Sequence, residues 1–144
     1  MLRLDNNKLE DINGLLQAQS ELQWLNVSAN NLQWFDYAFI PRNLKWLDIH
    51  ANAIEELGNY YSLRDEFNLA TLDASHNRIK KLGPLSLPNS LEYVRLHENS
   101  ISAIAPNTFI NKLNLSRVEL TSNHLERIDL ASLAISYNAS NSGK

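Results

Sequence analysis

Apolar residues recur along the chain in one pattern, in which Leu-x-x-Leu-x-Leu is followed by x-x-Asn-x-Leu-x-x-Leu. Ile, Val, Ala or Phe replaces leucine at single positions. The Leu-x-Leu part has a period of two, so it predicts a short β-strand with both apolar side chains pointing inward. The asparagine that follows is expected at a tight turn, where its amide would satisfy backbone groups that the turn leaves unpaired.

Six copies of the pattern are marked by asparagines that are 23, 22, 25, 22 and 24 residues apart. These structural residues, expected to form an internal ladder, are Asn7, Asn30, Asn52, Asn77, Asn99 and Asn123. A repeat of about 20 to 29 residues is typical of leucine-rich repeats. The sequence therefore predicts an α/β leucine-rich-repeat solenoid, a horseshoe with a parallel β-sheet on its concave face and irregular or short helical segments on its convex face.

The predicted solenoid covers residues 1–135, with about six to seven repeats. A seventh copy would end at Asn138, only 15 residues after Asn123. Residues 136–144 are polar, and we expect them to be a disordered tail. Because the chain starts within a repeat and neither end shows a polar cap, we expect a fragment of a longer solenoid.

The outward positions of the strands predict a row of large side chains across the concave face. Trp24 and Trp46 occupy neighbouring strands, and exposed tryptophans are typical anchors of protein interfaces. The alternative is that the two rings stack on each other and cover the sheet. Tyr93, Arg95 and Arg117 form a second candidate patch for protein binding.

Composition and spacing argue against an enzyme or a metal site. The chain has no cysteine. His50 and His97 share a column, but two strand spacings of roughly 10 Å would separate them, too far for one zinc ion. Asp48 and Asp73 are neighbours on an open sheet, which offers no pocket for catalysis. We therefore expect no catalytic residue, metal or cofactor.

Charge and hydropathy bear on the choice of partner. The net charge is −3, without a block of like charges, so nucleic acid and anionic membrane surfaces are not expected as partners. No apolar run reaches the length of a membrane span, so we expect no direct membrane insertion by this segment.

Three Asn-x-Ser sequons begin at Asn26, Asn114 and Asn138. Asn114 precedes a strand, in an accessible loop, and is the first candidate for glycosylation. Asn26 is expected to point outward from the concave face and is the second, and its glycan would cover the sheet beside Trp24. Asn138 would be shielded if it occupies a ladder position.

Several stretches are more specific than the repeat itself. They are Leu69-Ala-Thr-Leu-Asp-Ala-Ser-His-Asn-Arg-Ile79, Leu57-Gly-Asn-Tyr-Tyr61, Leu87-Pro-Asn-Ser90, Ala105-Pro-Asn-Thr-Phe109 and Asn114-Leu-Ser-Arg-Val118. In this order, over about residues 15–135, they resemble the membrane-proximal repeats of insect Toll receptors.

The resemblance implies a single-pass receptor of innate immunity or development, with an extracellular repeat horseshoe and an intracellular TIR domain. The implied partner is a protein ligand, such as a cystine-knot cytokine of the Spätzle type, or another receptor chain. In that family the cytokine contacts lie mostly nearer the N-terminus, so this region would be spacer and receptor–receptor contact surface. No ligand-binding residue can be transferred.

Two other hypotheses remain open from the sequence. One is an extracellular adhesion or matrix leucine-rich-repeat protein. The other is a cytosolic repeat scaffold, which the absence of cysteine suggests and which a glycan on Asn26 or Asn114 would exclude.

Overall fold

A six-stranded parallel sheet dominates the computed structural model, which describes residues 1–14, 16–58 and 67–133. Each repeat contributes one strand, and the strands lie side by side in chain order. They are β1 (Leu2–Arg3), β2 (Trp24–Asn26), β4 (Trp46–Asp48), β6 (Thr71–Asp73), β8 (Tyr93–Arg95) and β10 (Arg117–Glu119). The chain therefore advances by one strand per turn of the coil, and the predicted fold class is confirmed.

The register of the sheet places equivalent positions of successive repeats opposite each other. Leu25 pairs with Leu47, Leu47 with Leu72, and Leu72 with Val94. These four side chains are fully buried, since they point into the coil as the period of two predicts. The intervening side chains point to the concave face, where they form rows across the sheet.

The return side of the coils contains short strands as well as turns. Strand β3 (Phe35–Asp36) pairs with β5 (Leu57–Gly58), and β7 (Lys81–Leu82) pairs with β9 (Ala103–Ile104), both in parallel. One turn of 3-10 helix covers Tyr37–Phe39 and another covers Leu130–Ser132. The sequence predicted irregular or short helical segments here. The two small ladders are an addition, formed because the return segments stack in the same register as the main sheet.

The core is one continuous column of apolar side chains between the two sides of the coil. Aromatic rings widen it near the second repeat, where Phe35 contacts Tyr37 edge-on with ring centroids 5.1 Å apart. The Tyr37 hydroxyl crosses to a later repeat and donates a hydrogen bond to the Ser86 carbonyl at 2.6 Å. Burial first, and the nearby charge of Asp36 second, raise the pKa of the Tyr37 phenol well above its usual range.

The repeated asparagines bind backbone groups of two coils at once. In the fourth repeat the Asn77 amide donates to the carbonyls of Ala74 and Ser75 in its own coil and of Ile49 in the preceding one. Its Oδ1 accepts from the Ile54 N–H at 3.0 Å. The same arrangement recurs at Asn30, Asn52, Asn99 and Asn123. Among the residues that the structure describes, Asn7 bonds only to groups of its own coil, the carbonyls of Leu4 and Asp5.

Some sequence predictions lie outside the described residues. These include the seventh repeat with Asn138, the expected disorder of residues 136–144, and most of the Gly-Asn-Tyr-Tyr insertion. Within the described ranges, no helix has the length and apolar character needed to cross a membrane.

Candidate protein-binding face

The two tryptophans of the concave face form a parallel stack. Trp24 and Trp46 are opposite each other in the register of β2 and β4. Their ring centroids are 4.1 Å apart and their planes differ by 4°. The rings nevertheless stay half-buried, so their outer edges face solvent. Mutual stacking and an accessible aromatic surface, which the sequence left as alternatives, therefore occur together.

The second candidate patch is a closed network of side chains. The guanidinium groups of Arg95 and Arg117 lie over the Tyr93 ring, with Cζ 5.2 and 5.1 Å from its centroid. Arg95 Nε donates to the Tyr93 hydroxyl at 2.6 Å, and this hydroxyl donates to Glu119 Oε1 at 2.9 Å. Arg117 also pairs with Glu119 Oε1, at 2.9 Å. The hydrogen bond with Tyr93, supported by the charges of Asp73 and Glu119, raises the pKa of the Arg95 guanidinium.

Between these two patches, Asp48, His50 and Asp73 come together, with one possible ligand atom of each lying within 4.8 Å of the others. His50 Nδ1 is 2.5 Å from Asp48 Oδ1. Asp73 Oδ1 accepts from both the N–H and the hydroxyl of Ser75. The column that His50 shares with the distant His97 does not reveal this cluster, so it was not among the predicted sites. The signal was available, because residues two apart on a strand share a face.

The cluster has the donor types of a divalent-cation site, yet its surroundings weigh against one. Asp48 Oδ1 is already held by the N–H and the ring of His50. Arg95 Nη1 lies 3.7 Å from Asp73 Oδ2, and its positive charge would repel a cation. We assign no metal to this cluster.

Outward-facing positions are less accessible than the sequence suggested. Asn26 was expected to point outward from the concave face, yet its side chain is only 8% exposed, with Oδ1 accepting from the Ser28 N–H at 2.9 Å. Asp48 at 7% and Ser75 at 2% are also buried. Side chains about one strand spacing apart on a concave surface cover one another. Asn114 lies exposed in a turn before β10.

Comparison with known proteins identifies the repeat. Residues 68–111 match the family model described as leucine-rich repeats in two copies. Fibromodulin of Sus scrofa is 34% identical over 131 residues, covering 90% of this chain and 86% of that protein.

A stronger likeness is to a receptor. Toll-like receptor 7 of Drosophila melanogaster is 53% identical over 131 residues, which is 91% of this chain. The chain belongs to the Toll receptor family of leucine-rich-repeat proteins. A solved Toll-like structure agrees: TLR13 in its complex with ssRNA13 superposes with a TM-score of 0.59 and 25% identity over 95% of the chain.

The likeness to Toll receptors concerns one part of much larger molecules. The chain spans 9% of Drosophila Toll-like receptor 7 and 22% of the TLR13 chain. RNA is the partner named for TLR13.

Proposed function

We propose that this chain is a protein-recognition module in the extracellular part of a Toll-type receptor, and that its concave sheet binds the partner. The observation that carries the proposal is the stacked Trp24–Trp46 pair, held half-exposed on the rigid sheet. Tryptophans fixed in one orientation lose little conformational entropy on binding, which makes them effective interface anchors. Membership of the Toll receptor family supports the same role, in signalling of innate immunity or development.

The partner is a protein ligand, such as a cystine-knot cytokine of the Spätzle type, or a second receptor chain. RNA, the partner in the TLR13 complex, is a less suitable occupant of this face. A phosphate backbone needs available cationic groups. Arg95 and Arg117 are already bonded to Glu119, and Arg3 is bonded to Asp5.

A glycan placed on the concave face tests the proposal. Thr71→Asn with Asp73→Ser creates an Asn-Leu-Ser acceptor in the middle of the sheet. Pro84→Asn creates the same tripeptide in an exposed turn on the return side. Binding of purified cystine-knot cytokines, and of a second copy of the chain, would be measured by biolayer interferometry on secreted protein.

We expect the concave glycan to abolish partner binding and the return-side glycan to preserve it. Thr71→Gln with Asp73→Ser lacks an acceptor and serves as the control for the substitutions themselves. Binding that survives an occupied concave glycan would refute the proposal.

Native glycosylation should depend on the exposure of the acceptor asparagine. We propose Asn114 as the modified position, because it is exposed in a turn, whereas the buried Asn26 amide offers little access to a transferase. Peptide mass spectrometry of the secreted chain should find glycan on Asn114 and little on Asn26. An unmodified Asn114 beside a fully modified Asn26 would reverse this order.

A further inference from the structure

Asn13 and Gly14 form the one Asn-Gly pair of the sequence. They lie in an exposed turn of the first coil, between the buried side chains of Ile12 and Leu16. Gly14 has a φ of 73°, and a Cβ added to it would meet no atom within 4 Å. The backbone at this turn is therefore open to solvent.

An asparagine followed by glycine can lose its amide in an intramolecular reaction. The backbone nitrogen of Gly14 attacks Cγ of Asn13, and a new N–C bond closes a five-membered imide. The Cγ–Nδ2 bond breaks, and ammonia leaves with the proton of the Gly14 N–H. Water then opens the imide at either carbonyl, giving aspartate or isoaspartate without oxidation or reduction. Glycine favours the attack because it has no Cβ to hinder the approach of its nitrogen.

The reacting groups of this turn are not held by hydrogen bonds. Within the part of the chain that the structure describes, neither the Asn13 side-chain amide nor the Gly14 N–H has a hydrogen-bond partner. Asn13 does bond through its own backbone N–H, which donates to Asp11 Oδ1 at 3.1 Å. This bond fixes the chain ahead of the reacting atoms and leaves Cγ of Asn13 and the Gly14 nitrogen free to approach each other.

The ladder asparagines show the opposite situation. Polar residues follow Asn99 and Asn123 in the sequence, so the same reaction is chemically available to them. In the fold, however, the Asn99 amide donates to three carbonyls and its Oδ1 accepts one N–H. The nitrogen that would attack, that of Ser100, donates to the Ile79 carbonyl at 2.9 Å. The His124 N–H after Asn123 is likewise bonded to the preceding coil at 2.9 Å, so the leaving group and the attacking group are both held.

From these observations we propose that Asn13 is a site of spontaneous deamidation in the folded chain, while the ladder asparagines are protected by the fold. The reaction needs no partner, so it is independent of the proposed function. Either product places a new negative charge two residues after Asp11. In isoaspartate the main chain runs through the former side chain, which adds one backbone carbon between the buried Ile12 and Leu16.

The test follows each asparagine of the folded full chain during incubation at neutral pH. Samples taken over time are digested under mildly acidic conditions, and peptide mass spectrometry measures the fraction of each amide that has become a carboxyl group. Isoaspartate is counted separately, by methyl transfer from a protein L-isoaspartate methyltransferase. We expect Asn13 to convert at least about tenfold faster than Asn99 and Asn123, which corresponds to a barrier lower by about 1.4 kcal/mol.

Two variants separate the reaction from other changes in the same peptide. Asn13→Gln keeps a neutral amide but would have to close a six-membered ring, so this peptide should show no conversion over the same period. Gly14→Asn places a Cβ beside the attacking nitrogen and should slow the conversion of Asn13 at least about tenfold. Asparagine suits this position because it adopts positive φ more readily than other residues with a side chain.

Incubation in guanidinium chloride tests the protection by the fold. In the unfolded chain Asn99 and Asn123 lose their hydrogen bonds, so their conversion should accelerate at least about tenfold, whereas that of Asn13 should change less than about threefold. Conversion of Asn99 as fast as Asn13 in the folded chain overturns the proposal. So does an Asn13 that converts in the unfolded chain but stays intact in the folded one.

Discussion

At the residue scale, the ladder asparagines are the most demanding positions of the chain. Each needs two donors and one acceptor at fixed distances on a short side chain, so an aspartate, which has no donor, or a longer glutamine would not serve. Asn77 shows the reason for the demand, since its amide joins carbonyls of two successive coils. Those backbone groups are buried, where a lost hydrogen bond costs free energy.

Asn77→Ala should lower the free energy of unfolding by about 1 to 3 kcal/mol, because the buried Ile54 N–H loses its acceptor and three buried carbonyls each lose one of their donors. Urea denaturation followed by circular dichroism measures the change. Asn7→Ala is the matched control with a smaller expected loss, since Asn7 is exposed and bonds only its own coil. Equal losses in the two variants would contradict a special role for buried ladder positions.

Tyr37 predicts a dependence of stability on alkaline pH. Its pKa is raised in the folded protein, so above its ordinary value of 10.0 the unfolded chain releases a proton that the folded chain keeps. Stability is therefore fully present below about pH 10 and falls above it, by up to about 1.4 kcal/mol per pH unit.

Tyr37→Phe removes this contribution, and its stability should fall less steeply than that of the parent between pH 9 and 11. At neutral pH the variant should lose about 1 kcal/mol, because the Ser86 carbonyl loses its donor. Urea titrations across this pH range compare the two proteins, in which all other tyrosines and lysines are the same. Parallel pH profiles would disprove the assignment.

At the element scale, the repeating unit is a strand followed by a turn, and one residue of that turn has a left-handed backbone conformation with positive φ. The residue before every ladder asparagine has a φ between 52° and 58°. These residues are Asn6, Ala29, Ala51, His76, Glu98 and Ser122. Apart from asparagine, such residues adopt this region at a cost, so the turn is maintained by the hydrogen bonds around it.

Glu98→Gly should therefore raise the free energy of unfolding, by about 0.5 to 1 kcal/mol, since glycine adopts a φ of 54° without strain. Thermal and urea denaturation would both show it. Glu92→Gly, at an exposed position before β8 where φ is not positive, is the control and should be neutral or destabilising. A loss of stability in Glu98→Gly would show that glutamate contributes more than its backbone strain costs.

At the scale of the whole molecule, stability comes from stacking, because each coil leaves an apolar face that only its neighbours cover. Leu96 and Leu120 occupy the same position in successive repeats. Leu96 is fully buried between coils, whereas Leu120 is half-buried, in the last coil with a described strand in the main sheet.

Leu96→Ala should lower the free energy of unfolding by about 2 to 5 kcal/mol, and Leu120→Ala by roughly half as much, since less area is lost and less cavity is left. Denaturant titration of both variants gives the comparison, and hydrogen exchange should show less protection around Leu120. Equal costs would mean that burial in this stack does not depend on neighbouring coils.

The sequence by itself determined the coil. The period of two settled which side chains of each strand point inward, and the spacing of the asparagines set the length of each turn of the solenoid. Both signals are local, so each repeat contains them independently, and all six copies indicate the same fold. Rows such as Trp24 with Trp46 followed directly, because equal repeats place equal positions side by side.

Tertiary structure alone decided how the outward side chains meet. Asn26 is covered although its position alternates outward, and Asp48, His50 and Asp73 converge although no motif in the sequence groups all three. Arg95 and Arg117 both lie over Tyr93, although only one of them is on its strand. Inward or outward direction is a property of the backbone, whereas burial, stacking and ion pairing depend on side-chain rotamers and on the curvature of the sheet. Rotamers and sheet curvature are not encoded in the repeat, because they also depend on contacts between residues more than twenty positions apart.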